Sequence, residues 1–409
     1  MRRFSPLTSA VRWLGVVLFA VVLTGPVDIA RATKLRAFAI SNPSDGISEF
    51  RPRIVGGSIV WQRGSGAGSE VMRWDGKLAV NLTMNGVADE NPETDGIHIV
   101  WQHNSGSQHD IAFYDLVTHM LSTLGSPGDE IEPVISGVNV AWIRLVDPDG
   151  ELFIDPGPVG NQLTGNSLVE SELAFDGSDL VWSQGDELKQ TAGTSDDTHD
   201  IAVWNGALQG LYLLGGNPTD DIHPSIAGGI VVWQAGPDGS GDIWYGNTQG
   251  TANLLFDGID ERNPITDGMQ VIWEHWDGLD FELYRVNLAS PNSSSPLTND
   301  GVDDVTPQVS GDNLVWVKKV TPGDSEIWIS WHGAAAEPLR RTQANGRDDV
   351  APRIDGDQFV YESCVNLGQP NELCDVYLAP EPGTTALVAV ALLTLGSLAT
   401  RSARRAVRC

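Results

Sequence analysis

Basic side chains are scarce in this sequence: 25 Lys and Arg stand against 54 Asp and Glu in 409 residues, a formal net charge of −29. A surface so negative repels phosphate backbones and anionic headgroups, which excludes nucleic acid and favours cationic partners or divalent metal. Cysteine is nearly absent, with three residues. Cys364 and Cys374 lie ten positions apart, a disulfide candidate that would suit an oxidising compartment, although two free thiols fit the same spacing. Gly-x-Ser-x-Gly, His-Glu-x-x-His and a phosphate-binding loop are all missing, so no catalytic residue is assigned. The eight histidines are scattered. His103 and His109 flank one hairpin tip beside Asp110, where loop histidines are ordinarily solvated, and no metal site is assigned to them.

Long apolar runs are confined to the two ends. Residues 1–32 carry Arg2 and Arg3, an apolar stretch from Trp13 to Thr24, and Ala30-Arg31-Ala32, the order of a secretory signal cleaved after Ala32. Residues 380–409 begin with Pro380-Glu381-Pro382, continue through an apolar run from Thr384 to Thr400, and end with Arg401, Arg404, Arg405 and Arg408. A helix over 384–400 would reach about 25 Å at about 1.5 Å per residue, slightly short of a hydrocarbon core of about 30 Å. This tail resembles the PEP-CTERM sorting signal of Gram-negative bacteria. The resemblance implies an exosortase-type processing partner that reads Pro380, Glu381, Pro382, Arg404 and Arg405. An ordinary membrane anchor is the alternative, and both place the chain outside the cytoplasm. The expected location is the inner membrane before processing, through helix 384–400 alone, and then the envelope, cell surface or medium.

Between the ends, one phrase recurs eight times. With Pro52, Pro92, Pro133, Leu173, Pro224, Pro264, Pro307 and Pro352 as position zero, glycine stands four residues later in every unit, from Gly56 to Gly356. Nine residues later every unit has an aromatic: Trp61, Trp101, Trp142, Trp182, Trp233, Trp273, Trp316 and Tyr361. Proline, lacking an amide donor, suits the first residue of a strand, and glycine supplies a tight turn. The strand carrying the aromatic reads SIVWQ, HIVWQ, NVAWI and so on, apolar on both faces and therefore buried between layers. A third strand opens on an acid in every unit, and a weaker fourth follows. Four short strands every 40 to 51 residues predict an all-β, eight-bladed β-propeller over residues 33–379. The eighth unit lacks its fourth strand, while Lys34–Asn42 precedes the first unit; the N-terminal strand is expected to complete the last blade and remove the open edge.

Acid-x-x-Pro, a Gly turn, an apolar strand, an Asp-Ile-Tyr-like strand and Leu-Thr together resemble the TolB-type propeller repeat. That resemblance implies the fold and carries little about function; six blades and an extra N-terminal domain in TolB itself are departures.

Three residues before position zero every unit is acidic: Glu49, Asp89, Glu130, Glu170, Asp221, Glu261, Asp304 and Asp349. With the acids that open the third strands, they are expected to share one end of the ring. Either each accepts hydrogens from its own or the adjacent blade, or the set forms a cation rim, with Ca2+ as the candidate ion. Units four and eight have long hairpins. The loop Ser183–His199, including Ser195, Asp196 and His199, is a candidate binding loop, and the second contains the cysteine pair. The expectation is an exported, monomeric, non-catalytic propeller that binds a protein or glycan partner at the cell surface or in the matrix. The alternative is a carbohydrate-active lyase or hydrolase working in the channel.

Overall fold

The computed structural model describes residues 37–380, apart from 126–127, 147–148, 156–160, 186–198, 215–219, 257–258, 322, 331–338, 341 and 343–344. They form eight antiparallel four-stranded sheets and no helix. Hence, among the described residues, no helix is long and apolar enough to cross a membrane. The signal sequence with Ala30 and Ala32, the helix predicted over 384–400, and Glu381, Pro382, Arg404 and Arg405 lie outside the described residues. Pro380 ends the last strand, opposite Gln358.

Blade 1 is representative: Glu49–Val55, Ser58–Arg63, Glu70–Trp74 and Ala79–Asn81, paired in that order. The first strands of all eight blades contact one another around a closed circle, blade 8 (Asp348–Asp355) touching blade 1 (Glu49–Val55). The structure is thus an eight-bladed β-propeller. The second strand is buried on both faces because it lies between neighbouring blades, and all eight anchor aromatics are inside, none more than 4% exposed. Each packs across a blade boundary: Trp182 of blade 4, for example, sits with Ile143 and Leu152 of blade 3.

The seam lies in blade 8. Phe38–Ala39 pairs antiparallel with Leu378 and Tyr377 as the fourth strand of that blade. Beyond it, the Ile40 amide donates to the Val376 carbonyl at 2.9 Å, and the Ile40 side chain is buried. Cys364 and Cys374 face each other across the same sheet and are joined by a disulfide.

One detail departs from the sequence reading. The recurring proline does not begin its strand; Pro52 is the fourth residue of Glu49–Val55. In all eight blades the pairing of first and second strands slips by one residue just before this position, for example between Phe50 and Arg53. At such a bulge the ladder hydrogen bond is already absent, so a residue without an amide donor costs nothing there.

Candidate functional site

The bulge sets the chemistry of the channel. The residue before each proline, or before Leu173 in unit four, has a left-handed backbone: Arg51, Asn91, Glu132, Glu172, His223, Asn263, Thr306 and Ala351 all have φ between 49° and 54°. Such a conformation costs a non-glycine residue on the order of 1 kcal/mol or more, and it persists only where surroundings enforce it. At four of the eight the preceding blade does so, through the side chain next to its anchor aromatic. Gln62 Oε1 accepts the Asn91 amide at 3.1 Å, Gln234 Oε1 that of Asn263 at 3.3 Å, Glu274 Oε1 that of Thr306 at 2.8 Å, and Glu362 Oε1 that of Arg51 at 2.7 Å. The last of these crosses the seam. In blade 4 the equivalent residue is the short Ser183, and Glu172 reaches across instead to take the His223 amide at 2.6 Å.

These residues line the central space, together with those just after the proline. One cavity of about 210 Å³ lies among Arg51, Arg53, Asn91, Glu93, Glu132 and Glu172. A second, of about 580 Å³, is lined by Glu172, His223, Asn263, Thr306, Gln308 and Arg353 with Phe175, Ile226 and Ile265. Charge is unevenly placed around the ring. Blades 8 and 1 contribute Arg353, Arg51 and Arg53; blades 2, 3 and 4 contribute Glu93, Glu132 and Glu172; blade 5 contributes His223, 3.3 Å from Glu172, and blades 6 and 7 contribute uncharged polar and apolar groups. Arg53 Nε meets Glu93 Oε1 at 2.6 Å where the two arcs join. Buried Glu362 lies behind the basic arc, where burial raises its pKa and Arg353 and Arg53 oppose that rise.

The eight acids of the expected rim are all buried, with exposures of 2% or less. Each belongs to a repeated local network. The indole Nε1 of Trp101 donates to Asp89 at 2.7 Å, that of Trp273 to Glu261 at 2.7 Å, that of Trp316 to Asp304 at 2.8 Å, and that of Trp61 to Glu49. The residue two beyond the anchor adds a second partner: His103 to Asp89 (2.6 Å), Arg144 to Glu130 (2.7 Å), His275 to Glu261 (2.6 Å), Lys318 to Asp304 (3.0 Å) and Arg63 to Glu49 (3.5 Å). Glu170 has Asn166 at 3.5 Å, Asp221 accepts the Ser183 hydroxyl through its backbone carbonyl at 3.0 Å, and the Asp349 carboxyl bonds to Ser363 and Thr342. Three third-strand acids, Glu70, Glu151 and Glu326, accept from a threonine, as in Thr164 Oγ1 to Glu151 at 2.9 Å; that oxygen also accepts the Leu152 amide at 2.8 Å.

Acids of neighbouring blades meet at their boundaries, Glu49 with Asp375, Glu170 with Glu151, and Asp349 with Glu326. Burial pushes Glu49, Glu170 and Asp349 each up to about 7. These positions therefore act as joints between blades.

Of the candidate binding loop, residues 186–198, with Ser195 and Asp196, lie outside the described residues. His199 is described: its amide donates to Asp220 at 3.1 Å, binding blade 4 to blade 5. His109 makes the same contact with Asp129 at 2.6 Å, while His103 belongs to the Asp89 network. Sequence reasoning missed the channel residues themselves. Their signal was the one column before the proline that changes type from unit to unit.

Neither a protein-family model nor a curated protein sequence matches this chain. Solved structures do. The β-propeller domain of the Trilobed protease from Pyrococcus furiosus, which has an open velcro topology, aligns over 73% of this chain and 99% of its own length at 11% identity and TM-score 0.52. Pyrococcus horikoshii acylaminoacyl peptidase aligns over 78% and 57% at 11% identity and TM-score 0.50. A Mycobacterium tuberculosis puromycin-hydrolyzing peptidase aligns over 73% and 52% at 13% identity and TM-score 0.51. This chain therefore spans slightly more than half the length of the last two. At such identities the likeness is one of fold. It nevertheless corrects the functional expectation: the neighbours are propellers of peptidases, which overturns the stand-alone non-catalytic binder of the cell surface and does not favour a carbohydrate-active enzyme either.

Proposed function

We propose that this chain is a peptidase-type propeller whose channel receives an extended polypeptide segment and presents it for hydrolysis. The observation that carries the reading is the ring of eight left-handed residues. The proline, glycine and anchor-aromatic positions hold one residue type for a structural reason, whereas this column runs Arg, Asn, Glu, Glu, His, Asn, Thr, Ala, and its first seven members line the open space. Its polarity suits a chain with two unlike ends: Arg51, Arg53 and Arg353 attract a carboxylate, and Glu132 and Glu172 attract an ammonium group. Space is sufficient. An extended strand occupies roughly 4.8 by 10 Å in section and about 3.3 Å per residue, so the larger cavity of about 580 Å³ holds about three to four residues. The peptidase association of the neighbouring folds supplies the substrate class.

The test is a binding panel on the full chain with a hexapeptide carrying free ends, the same peptide blocked at each end, and a neutral hexasaccharide. The reading expects the free peptide to bind at least tenfold more tightly than the doubly blocked one, with the loss reproduced by Glu132→Gln/Glu172→Gln for the amino end. Equal binding of all peptides, or preference for the sugar, removes it.

The repeat is read as TolB-type, on the pattern of acid-x-x-Pro, Gly turn and Leu-Thr step, and the tail from Pro380 as a sorting signal that an exosortase-type enzyme processes. Under this reading the protein is a monomer, exported and released to the envelope or beyond. The Cys364–Cys374 disulfide, which favours an oxidising compartment, supports export. Mass spectrometry of the mature protein tests both ends: new termini near Ala32 and Pro382 are expected, and an intact chain in the cytoplasm would dismiss the localisation.

A further inference from the structure

The hairpin between the second and third strands of blade 6 contains Asp277, Asp280 and Glu282, with one oxygen of each within 4.8 Å of the others. Blades 1, 2, 3 and 5 have the same spacing from anchor aromatic to third-strand acid, and there the positions of Asp277 and Asp280 hold Ser65 and Gly68, Ser105 and Gln108, Val146 and Asp149, and Pro237 and Ser240, so blade 6 differs from these four in carrying both acids. Glu282 is the repeated third-strand acid, and the pair Asp277 and Asp280 is what blade 6 adds to it. Its chemistry also differs from that of joints such as Asp89, Glu261 and Asp304, whose carboxylates accept from an indole and a basic side chain. Asp280 is 6% exposed, and neither of its carboxylate oxygens has a hydrogen-bond partner; Glu282 is 1% exposed, and its Oε2 has none. A buried carboxylate without donors is costly unless something positive faces it.

We propose that Asp277, Asp280 and Glu282 bind one hard divalent cation of the Ca2+ class. Oxygens around Ca2+ stand about 2.3 to 2.6 Å from the ion, so two of them on opposite sides are about 5 Å apart at most, and a cluster within 4.8 Å fits that shell. Local charge agrees. Asp300 and Asp303 add to the negative field at Asp280, and Lys318 is engaged by Asp300 and Asp304. The other Glu282 oxygen, Oε1, accepts the Asp300 amide. Backbone bonds from Leu279 (2.8 Å) and Asp280 (3.3 Å) to Asp277 Oδ1 hold the turn in the shape that gathers the three side chains. The site lies apart from the ring of buried acids, most of which have an indole, imidazole, guanidinium or ammonium group on at least one oxygen.

The experiment is calorimetric titration of Ca2+ into the full chain at physiological ionic strength, with melting curves in parallel, for wild type, Asp280→Asn and Asp238→Asn, a control in the blade 5 hairpin. One Ca2+ per chain is expected in wild type and in the control, with a rise in melting temperature. Asp280→Asn should weaken binding at least tenfold and abolish the rise, while melting at or above the wild-type temperature without metal, since it removes a buried unpaired charge; that second readout separates loss of the site from loss of the fold. Absence of stoichiometric uptake by wild type, or equal uptake and stabilisation in Asp280→Asn, overturns the proposal.

Discussion

Lowering the pH should make this acidic protein more stable before it makes it less so. Glu49, Glu170 and Asp349 are each held up to about 7 by burial, each with a second carboxylate close by across a blade boundary. Their ordinary values lie near 4. A carboxyl whose folded pKa is raised contributes stability that is complete below the unfolded value and lost as pH rises through the folded one. Between pH 7 and 5 each of the three then adds up to about 2 to 3 kcal/mol, at about 1.36 kcal/mol per unit. The opposite sign applies to Asp45, Asp115 and Asp129, which are held below their usual values, Asp129 chiefly by the His109 amide. Their contribution is present above about pH 4 and is lost only below it. The optimum should thus fall near pH 5. Intrinsic fluorescence of the buried tryptophans follows unfolding directly, and a gain of several degrees from pH 8 to 5 is expected at roughly 2 °C per kcal/mol. Glu170→Gln isolates one joint: it should melt higher than wild type at pH 8 and recover less on acidification. A wild-type melting temperature that falls steadily from pH 8 to 5 would refute the reasoning, as would an unchanged pH profile in Glu170→Gln.

Reducing the Cys364–Cys374 bridge should cost roughly 3 kcal/mol, the loop-entropy value for a short closed loop, and thiol-treated protein should melt correspondingly lower. Ile40→Ala empties a buried position beside the seam and should cost about 2 to 5 kcal/mol, measurable by urea titration with little change in slope. Gly268 has φ +87°, and a Cβ there would stand 2.9 Å from the Ala227 carbonyl oxygen of the neighbouring blade. Gly268→Ala should therefore destabilise by about 1 to 3 kcal/mol, whereas Gly301→Ala, where a Cβ meets nothing, should be near neutral.

Much of the ring was legible because its forces are local and repeated. A two-faced apolar strand around each anchor aromatic can only lie between layers, and a missing fourth strand at one end with a spare strand at the other demands closure. The joints were half legible. The acid three before the proline was evident, and so in retrospect was the nitrogen-bearing side chain two after the aromatic at Arg63, His103, Arg144, His275 and Lys318. That these meet over the indole depends on the bulge, which shifts register by one residue and is not encoded in any periodicity. The same bulge moved the proline into the strand interior and turned the residue before it toward the channel. The channel column was consequently invisible until the backbone was seen. The blade 6 cluster was written plainly as Asp-x-x-Asp-x-Glu, but only the missing donors around Asp280 distinguish it from ordinary turn acids.

The most direct test of the proposed channel is photo-cross-linking of a free-ended hexapeptide carrying a benzophenone side chain, followed by mass-spectrometric mapping of adducts on the full chain. The account expects adducts on first-strand residues around His223, Asn263 and Thr306, abolished by excess unlabelled peptide. Adducts confined to the outer strands, or none that the unlabelled peptide displaces, would contradict it.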